Sequence, residues 1–251
     1  MEPCDFHLLS GGGRIAHRFA DGAGPVLVFL PGYMSDMAGS KAAALFDWAI
    51  ANGRAALLLD YSGCGQSAGR FADGTLTRWR DEVLALVAER CPARDLLLIG
   101  SSMGGWLMLL AARELGGQVK GMVGIAAAPD FTTWGFDQAQ KALLATGEVL
   151  YEDNPYGPEP TPTHPGFWAD GEANRLLDGP IALDCPVRLL QGQDDAEVPW
   201  ETALKLAAAL RSADVQVTLI KDGDHRLSRD GDIALLLRTV DALCHALGAG
   251  A

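Results

Sequence analysis

Residues 96–106, LLLIGSSMGGW, run aliphatic residues into Gly100, place two serines, and close on Gly104 and Gly105. The aliphatic run predicts a buried strand. After Met103, WLMLLAARELGG has helical periodicity and ends on glycines suited to a helix C-terminus. The serines therefore fall where a strand turns sharply into a helix. A nucleophilic serine on such a turn needs small residues two places before and two places after it, because backbone crowds backbone there. Ser102 has Gly100 and Gly104 in those places, giving G-x-S-x-G, whereas Ser101 would have Ile99 and Met103. Ser102 is the candidate nucleophile.

A serine hydroxyl is a weak nucleophile at neutral pH and needs a base. Of the five histidines, His7 and His17 fall in an expected edge hairpin, His164 in a proline-rich stretch and His245 within the last helix. His225, in KDGDHRLS, follows the last expected strand and precedes the final helix. It would emerge at the carboxyl edge of a parallel sheet, where Ser102 also emerges. The base in turn needs a carboxylate to fix its tautomer. LLQGQDDAEVPW offers Asp194, Asp195 and Glu197, with Asp130 a more distant candidate. The spacing G-x-x-D-x-x-V-P, over Gly192, Asp195, Val198 and Pro199, favours Asp195, and the order serine, acid, histidine suits this architecture. Two backbone donors are needed for an oxyanion. Met103 N–H is one candidate, and Tyr33 N–H, in FLPGYMSDM, is the other. This chemistry calls for no metal or organic cofactor.

The elements that must position these groups alternate. VLVFL (26–30), AALLLD (55–60), LLLIG (96–100), MVGIAAA (122–128), VRLLQG (187–192) and VQVTLI (215–220) predict strands. SKAAALFDWAIANG, LTRWRDEVLALVAERC, WLMLLAARELGG, WETALKLAAALRS and IALLLRTVDALCHAL predict helices. The alternation predicts an α/β fold with a mostly parallel sheet and helices on both faces. DFHLLSGGGRIAHRF is expected to add a hairpin at one edge, turning on its three glycines.

Residues 129–185 break the rhythm and are too long for an ordinary connection, so the core is expected over 1–128 and 186–251. The interval holds 7 of the 18 aromatic residues: Phe131, Trp134, Phe136, Tyr151, Tyr156, Phe167 and Trp168. A linker has no use for such a concentration; a lid over an apolar pocket does. Trp134, Phe136 and Trp168 are the expected pocket residues. YEDNPYGPEPTPTHPGFW is expected to lack regular structure. The interval also carries most of the chain's net charge of −12, which a solvated outer face would accommodate.

That charge disfavours nucleic acid as a partner, and no apolar run is long enough to span a membrane. Five cysteines, Cys4, Cys64, Cys91, Cys185 and Cys244, are dispersed without CxxC spacing. With no signal peptide or evident Arg-rich transit peptide at the N-terminus, they predict a reducing, cytoplasmic setting.

Taken in order, FLPGYMSDMAGSKA, LDYSGCGQSAG, TLTRWRDEVLALV, IGSSMGGWLMLLAA, CPVRLLQGQDDAEVPW and GDHRLS resemble the mitochondrial palmitoyl-protein (acyl-protein) thioesterases of the abhydrolase-domain family. Those enzymes are also described as acyl-glucuronide esterases, and they have bacterial relatives. The resemblance runs from residue 26 to the final helix and is weakest in 129–185. It implies an α/β-hydrolase fold and a serine hydrolase that cleaves acyl thioesters or carboxylic esters, with S-acylated proteins among the substrates to be expected. Ser102, Asp195 and His225 carry over onto matching motifs. Pro31-Gly32 replaces the His-Gly common in the wider fold. A short-chain or acyl-glucuronide-type carboxylesterase is the nearest alternative. A non-catalytic binding protein of the same fold is the alternative from another class.

Overall fold

The computed structural model describes residues 4–9, 11–154 and 157–248. Eight strands form one sheet in the order β1-β2-β4-β3-β5-β6-β9-β10. They are β1 (Asp5–Leu8), β2 (Arg14–Ala20), β3 (Ala23–Leu30), β4 (Arg54–Leu59), β5 (Leu96–Ser101), β6 (Val119–Ile125), β9 (Val187–Gly192) and β10 (Val215–Ile220). β1 and β2 pair antiparallel, and β2 joins β4 antiparallel; every other neighbouring pair is parallel. The expected edge hairpin is thus present. Its turn is closed by Leu9 N–H donating to Gly13 O at 2.8 Å.

Side chains alternate across a strand, and here both faces are covered. Val26, Val28 and Leu30 of β3, with Leu57 and Leu59 of β4, pack under α2 (Leu76–Arg90), α3 (Met103–Leu115) and α7 (Glu201–Ala209). Leu27 and Phe29, with Ala56 and Leu58, pack on the other face under α1 (Ser40–Ala51) and α8 (Asp230–Gly248). This explains why the strands read as unbroken aliphatic runs. β10, at the far edge, is only partly covered and alternates in exposure.

The strand expected over 26–30 begins three residues earlier, at Ala23, and the one expected over 122–128 differs at both ends. β6 begins three residues earlier and stops at Ile125, because Ala126 takes φ 45° and leaves the extended region. The following residues turn back behind the serine, with Ala128 N–H donating to Ser102 O at 3.1 Å.

Residues 129–185 contain α4 (Phe131–Trp134), α5 (Gln138–Ala145), a strand pair β7 (Leu150–Glu152) and β8 (Thr161–Thr163), and α6 (Pro165–Ala173). The proline-rich stretch is therefore more regular than expected. Pro162 sits in a two-stranded ribbon with one partner only, and Pro165 occupies the first turn of α6, where its missing N–H costs nothing. Phe136, Leu144 and Leu150 form a small core of their own, against which Trp168 packs. The segment is fastened to the sheet domain at several points. Asp170 accepts from Thr77 N–H at 2.8 Å and Thr77 Oγ at 2.6 Å, and Trp106 Nε1 donates to Asn174 O at 3.2 Å. Tyr156 lies outside the described residues.

Candidate active site

Ser102 follows β5 and precedes α3, and its backbone takes φ 54° and ψ −122°. A non-glycine residue held there costs about 1–3 kcal/mol, so its surroundings must enforce the turn. Ser102 N–H donates to Ile125 O at 2.9 Å, and Gly105 N–H donates back to Ser102 O at 2.8 Å. The flanking glycines have a steric reason. A β-carbon on Gly100 would lie 2.3 Å from Gly104 O, and one on Gly104 would lie 2.1 Å from Leu30 O. Both obstacles are backbone and cannot swing away.

Around this turn the structure brings three of the expected side chains together. His225 Nε2 lies 3.0 Å from Ser102 Oγ, and His225 Nδ1 lies 2.9 Å from Asp195 Oδ2. The loop after β9 and the loop after β10 are close enough for this because Gly192 abuts Gly223; a β-carbon on Gly192 would sit 2.1 Å from Gly223 O. Asp195 is held from all sides. Its Oδ1 accepts from Glu197 N–H at 2.9 Å and Val198 N–H at 2.8 Å, and its Oδ2 accepts from Gln191 Nε2 at 2.9 Å. Burial pushes its carboxyl up, but the His225 hydrogen bond and charge and those two amides outweigh it, and the net shift is downward. The carboxylate therefore stays ionised beside the ring.

None of the other acidic candidates reaches His225 Nδ1. Asp194 is exposed, and Glu197 Oε2 stands 3.6 Å from His225 Nε2. Asp130 is buried and accepts from Leu176 N–H at 2.8 Å and Leu177 N–H at 2.7 Å, tying the start of α4 to the chain after α6. The other histidines lie away from Ser102: His7 pairs with Glu89, His245 lies 3.4 Å from Asp241, His164 packs on Phe71, and His17 is buried in β2.

Met103 is the first residue of α3, so its N–H is one of the amino-terminal donors without an intrahelical partner. Tyr33 follows Gly32 in the loop after β3, whose Cα faces the Ser102 side chain. That loop is shaped from below by β4 and its following turn. Asp60 Oδ1 accepts from Met37 N–H at 2.7 Å, Asp60 Oδ2 accepts from Gln66 N–H at 2.8 Å, and Tyr61 Oη donates to Pro31 O at 3.1 Å. Sequence reasoning missed Asp60 and Gln191 as supports. Their signal was only their place beside the YSG turn and at the end of VRLLQG.

A cavity of about 720 Å³ opens on Ser102, Met103 and His225. Tyr33, Phe131, Trp134 and Phe136 supply aromatic surface, and Glu152, Asn154, Thr161 and Thr163 supply polar surface. Trp134 and Phe136 were expected there. Trp168 was expected too, but it lies outside the cavity lining and packs instead, from α6, on the small core of Phe136, Leu144 and Leu150. Burial raises the Glu152 carboxyl, moderated by Gln140 Nε2 at 3.2 Å.

The sheet order, the strained serine turn and the bonded serine, histidine and aspartate define a class, and comparison with known proteins agrees. Residues 23–163, more than half of the chain, match the family model described as serine aminopeptidase, S33. The chain belongs to the α/β-hydrolase family and is a hydrolase enzyme. Its relatives narrow the branch. The human mitochondrial palmitoyl-protein thioesterase ABHD10 is 37% identical over 243 residues, covering 93% of this chain and 78% of the human protein. Mouse alpha/beta hydrolase domain-containing protein 10 superposes with a TM-score of 0.90 at 36% identity, covering 98% of this chain and 100% of that structure. A putative hydrolase from Agrobacterium vitis S4 gives 0.89 at 39% identity, covering 97% and 100%. The family resemblance and the fold expected from the sequence are therefore correct.

The ABHD10 relatives are named as mitochondrial proteins, which overturns the cytoplasmic expectation. Dispersed cysteines do not select one reducing compartment over another, which is why they misled the reading. All five cysteines are free, with Cys64, Cys91 and Cys244 buried. Among the described residues, no helix is long and apolar enough to cross a membrane.

Proposed function

We propose that the protein hydrolyses acyl thioesters, in the manner of a palmitoyl-protein thioesterase, through Ser102, His225 and Asp195. The observation that carries this is the hydrogen-bonded chain from Ser102 Oγ through His225 to Asp195, at 3.0 and 2.9 Å, opening into a cavity with aromatic walls. The thioesterase activity for which the ABHD10 relatives are named supports the choice of bond.

Ser102 Oγ bonds to the acyl carbonyl carbon as His225 Nε2 takes its proton. The carbonyl electrons move onto oxygen, where the Met103 and Tyr33 amides donate to the oxyanion. The carbon–sulfur bond then breaks, and His225 returns the proton to the leaving thiolate. Water attacks the acyl-enzyme with the same histidine as base, and Ser102 regains its proton as the acid leaves. Asp195 holds Nδ1–H and stabilises the imidazolium throughout. Residues 129–185 act as a lid over the acyl chain through Phe131, Trp134 and Phe136. S-acylated proteins are among the substrates on this reading.

The polar part of the cavity lining, Asn154, Thr161 and Thr163 with Glu152, favours a second reading: an oxygen-ester substrate with a hydrophilic leaving group, as in an acyl-glucuronide-type esterase. Matched thioesters and oxygen esters from acetyl to palmitoyl distinguish the two. Turnover peaking on long-chain thioesters and abolished by Ser102→Ala is the expected result. Turnover confined to short oxygen esters would select the second reading. Turnover of neither, with no labelling of Ser102 by a fluorophosphonate, would mean a binding protein that retains the triad.

A further inference from the structure

Lys41 is the second residue of α1, and its ammonium donates to Arg226 O and, at 3.2 Å, to Ser228 Oγ. Ser228 Oγ also donates to Arg226 O at 2.9 Å. Both acceptors lie on the loop that carries His225, far along the chain from α1. That loop lies between β10 and α8 and turns through Leu227 at φ 42°, a region that disfavours a β-carbon. Such a conformation persists only where the surroundings over-determine it. Three contacts do so here. Asp224 Oδ1 accepts from Leu227 N–H at 2.9 Å, the Leu227 side chain is buried in the core under α1 and α8, and Lys41 fastens the carbonyl of the residue next to His225. Of the three, Lys41 alone bonds the peptide beside the base from another wall of the cavity.

The position is costly for a cation. The ammonium is partly withdrawn from water. It stands in the first turn of a helix, where the peptide dipoles present their positive end and that turn itself holds no acidic residue. Arg226 faces it across the cavity wall. An aliphatic side chain would avoid all three costs. Local rules broken in this way cluster at functional sites. We propose that Lys41 is a positioning residue, which fixes the His225 ring within reach of Ser102 Oγ by holding the Arg226 carbonyl. The proposal rests on the reading of Ser102 and His225 as nucleophile and base.

The charged groups facing Lys41 are Arg226 and Asp224 on the His225 loop and Asp232 at the start of α8; Asp36 and Glu197 share the cavity wall. Burial first, and then Arg226, pull the lysine down to about 8, against Asp224 and Asp232. The strap is thus mostly charged at neutral pH and loses its charge as pH rises through about 8.

The test is steady-state hydrolysis of an acyl thioester and its oxygen ester by wild type, Lys41→Met, Lys41→Arg and Ser102→Ala, from about pH 6 to about pH 10. Methionine keeps the aliphatic stem and removes the donors. Lys41→Met is expected to lose roughly 10- to 100-fold in kcat with KM little changed. Wild-type activity is expected to decline above about 8. In Lys41→Arg most activity returns and the decline moves to higher pH, since a guanidinium stays charged. Wild-type kcat in Lys41→Met with an unmoved decline in Lys41→Arg overturns the proposal. Should Lys41→Met fail to fold by circular dichroism, the position of the decline in Lys41→Arg decides alone. Turnover surviving in Ser102→Ala would instead overturn the nucleophile reading. Loss of turnover there, with Lys41 variants unchanged, overturns only the role of Lys41.

Discussion

Two aspartates stand side by side after β9, and the difference between them is one of hydrogen bonds. Asp195 reaches His225 and accepts from two loop amides and Gln191, while Asp194 is exposed. Asp195→Asn is therefore expected to cut kcat by about four orders of magnitude, because an amide holds the imidazole in the wrong tautomer. Asp194→Asn should stay within about threefold, as surface changes do. Steady-state thioester turnover checks both. An equal loss in the two variants would deny that Asp195 orients His225. This part of the site was legible in the sequence because residue types, their order and a loop spacing are discrete signals. Lys41 was not legible. In SKAAALFDWAIANG it is one exposed-looking cation on an amphipathic helix, and nothing local says that its acceptors lie near residue 226.

At the scale of elements, the glycines of the serine turn are steric requirements rather than flexible links. Gly104→Ala would place a methyl 2.1 Å from Leu30 O and 2.4 Å from Pro31 O. Overpacking of this kind costs about 1–3 kcal/mol, and it also displaces the loop that leads to Tyr33. The variant should melt earlier and label more slowly with a fluorophosphonate. Gly231→Ala, where a β-carbon meets nothing within 4 Å, should do neither. The segment 129–185 makes the opposite point about what sequence conveys. Its aromatic content pointed to a role beside the cavity, but β7, β8 and α6 went unseen, since three-residue strands and a proline-led helix have too little periodicity to register. Its attachment through Asp170 and Thr77 was equally invisible. Asp170→Ala is expected to raise hydrogen exchange in α6 and to raise KM more than it lowers kcat, which exchange mass spectrometry and chain-length kinetics would reveal.

For the molecule as a whole, the cost of Lys41 should appear in stability with a sign opposite to its effect on activity. A lysine whose value falls from 10.5 unfolded to about 8 folded binds its proton less tightly in the native state. Between those values the unfolded chain carries more protons, so stability rises with pH across that window. Carboxyls shifted upward, such as Asp60 and Asp130, act the other way at acidic pH: burial raises them, so the stability they contribute is present below the ordinary carboxylate value and lost as pH rises through the raised one. Titrations common to two variants cancel in a difference. The melting temperature of wild type minus that of Lys41→Met should therefore increase from about 8 to about 10.5, and stay level between neutral pH and the lower bound. Over the same range wild-type turnover should fall. A difference in melting temperature that is flat or falling across the window would mean that the folded protein does not penalise the ammonium, and the argument that Lys41 is kept for positioning at the expense of stability would fail with it.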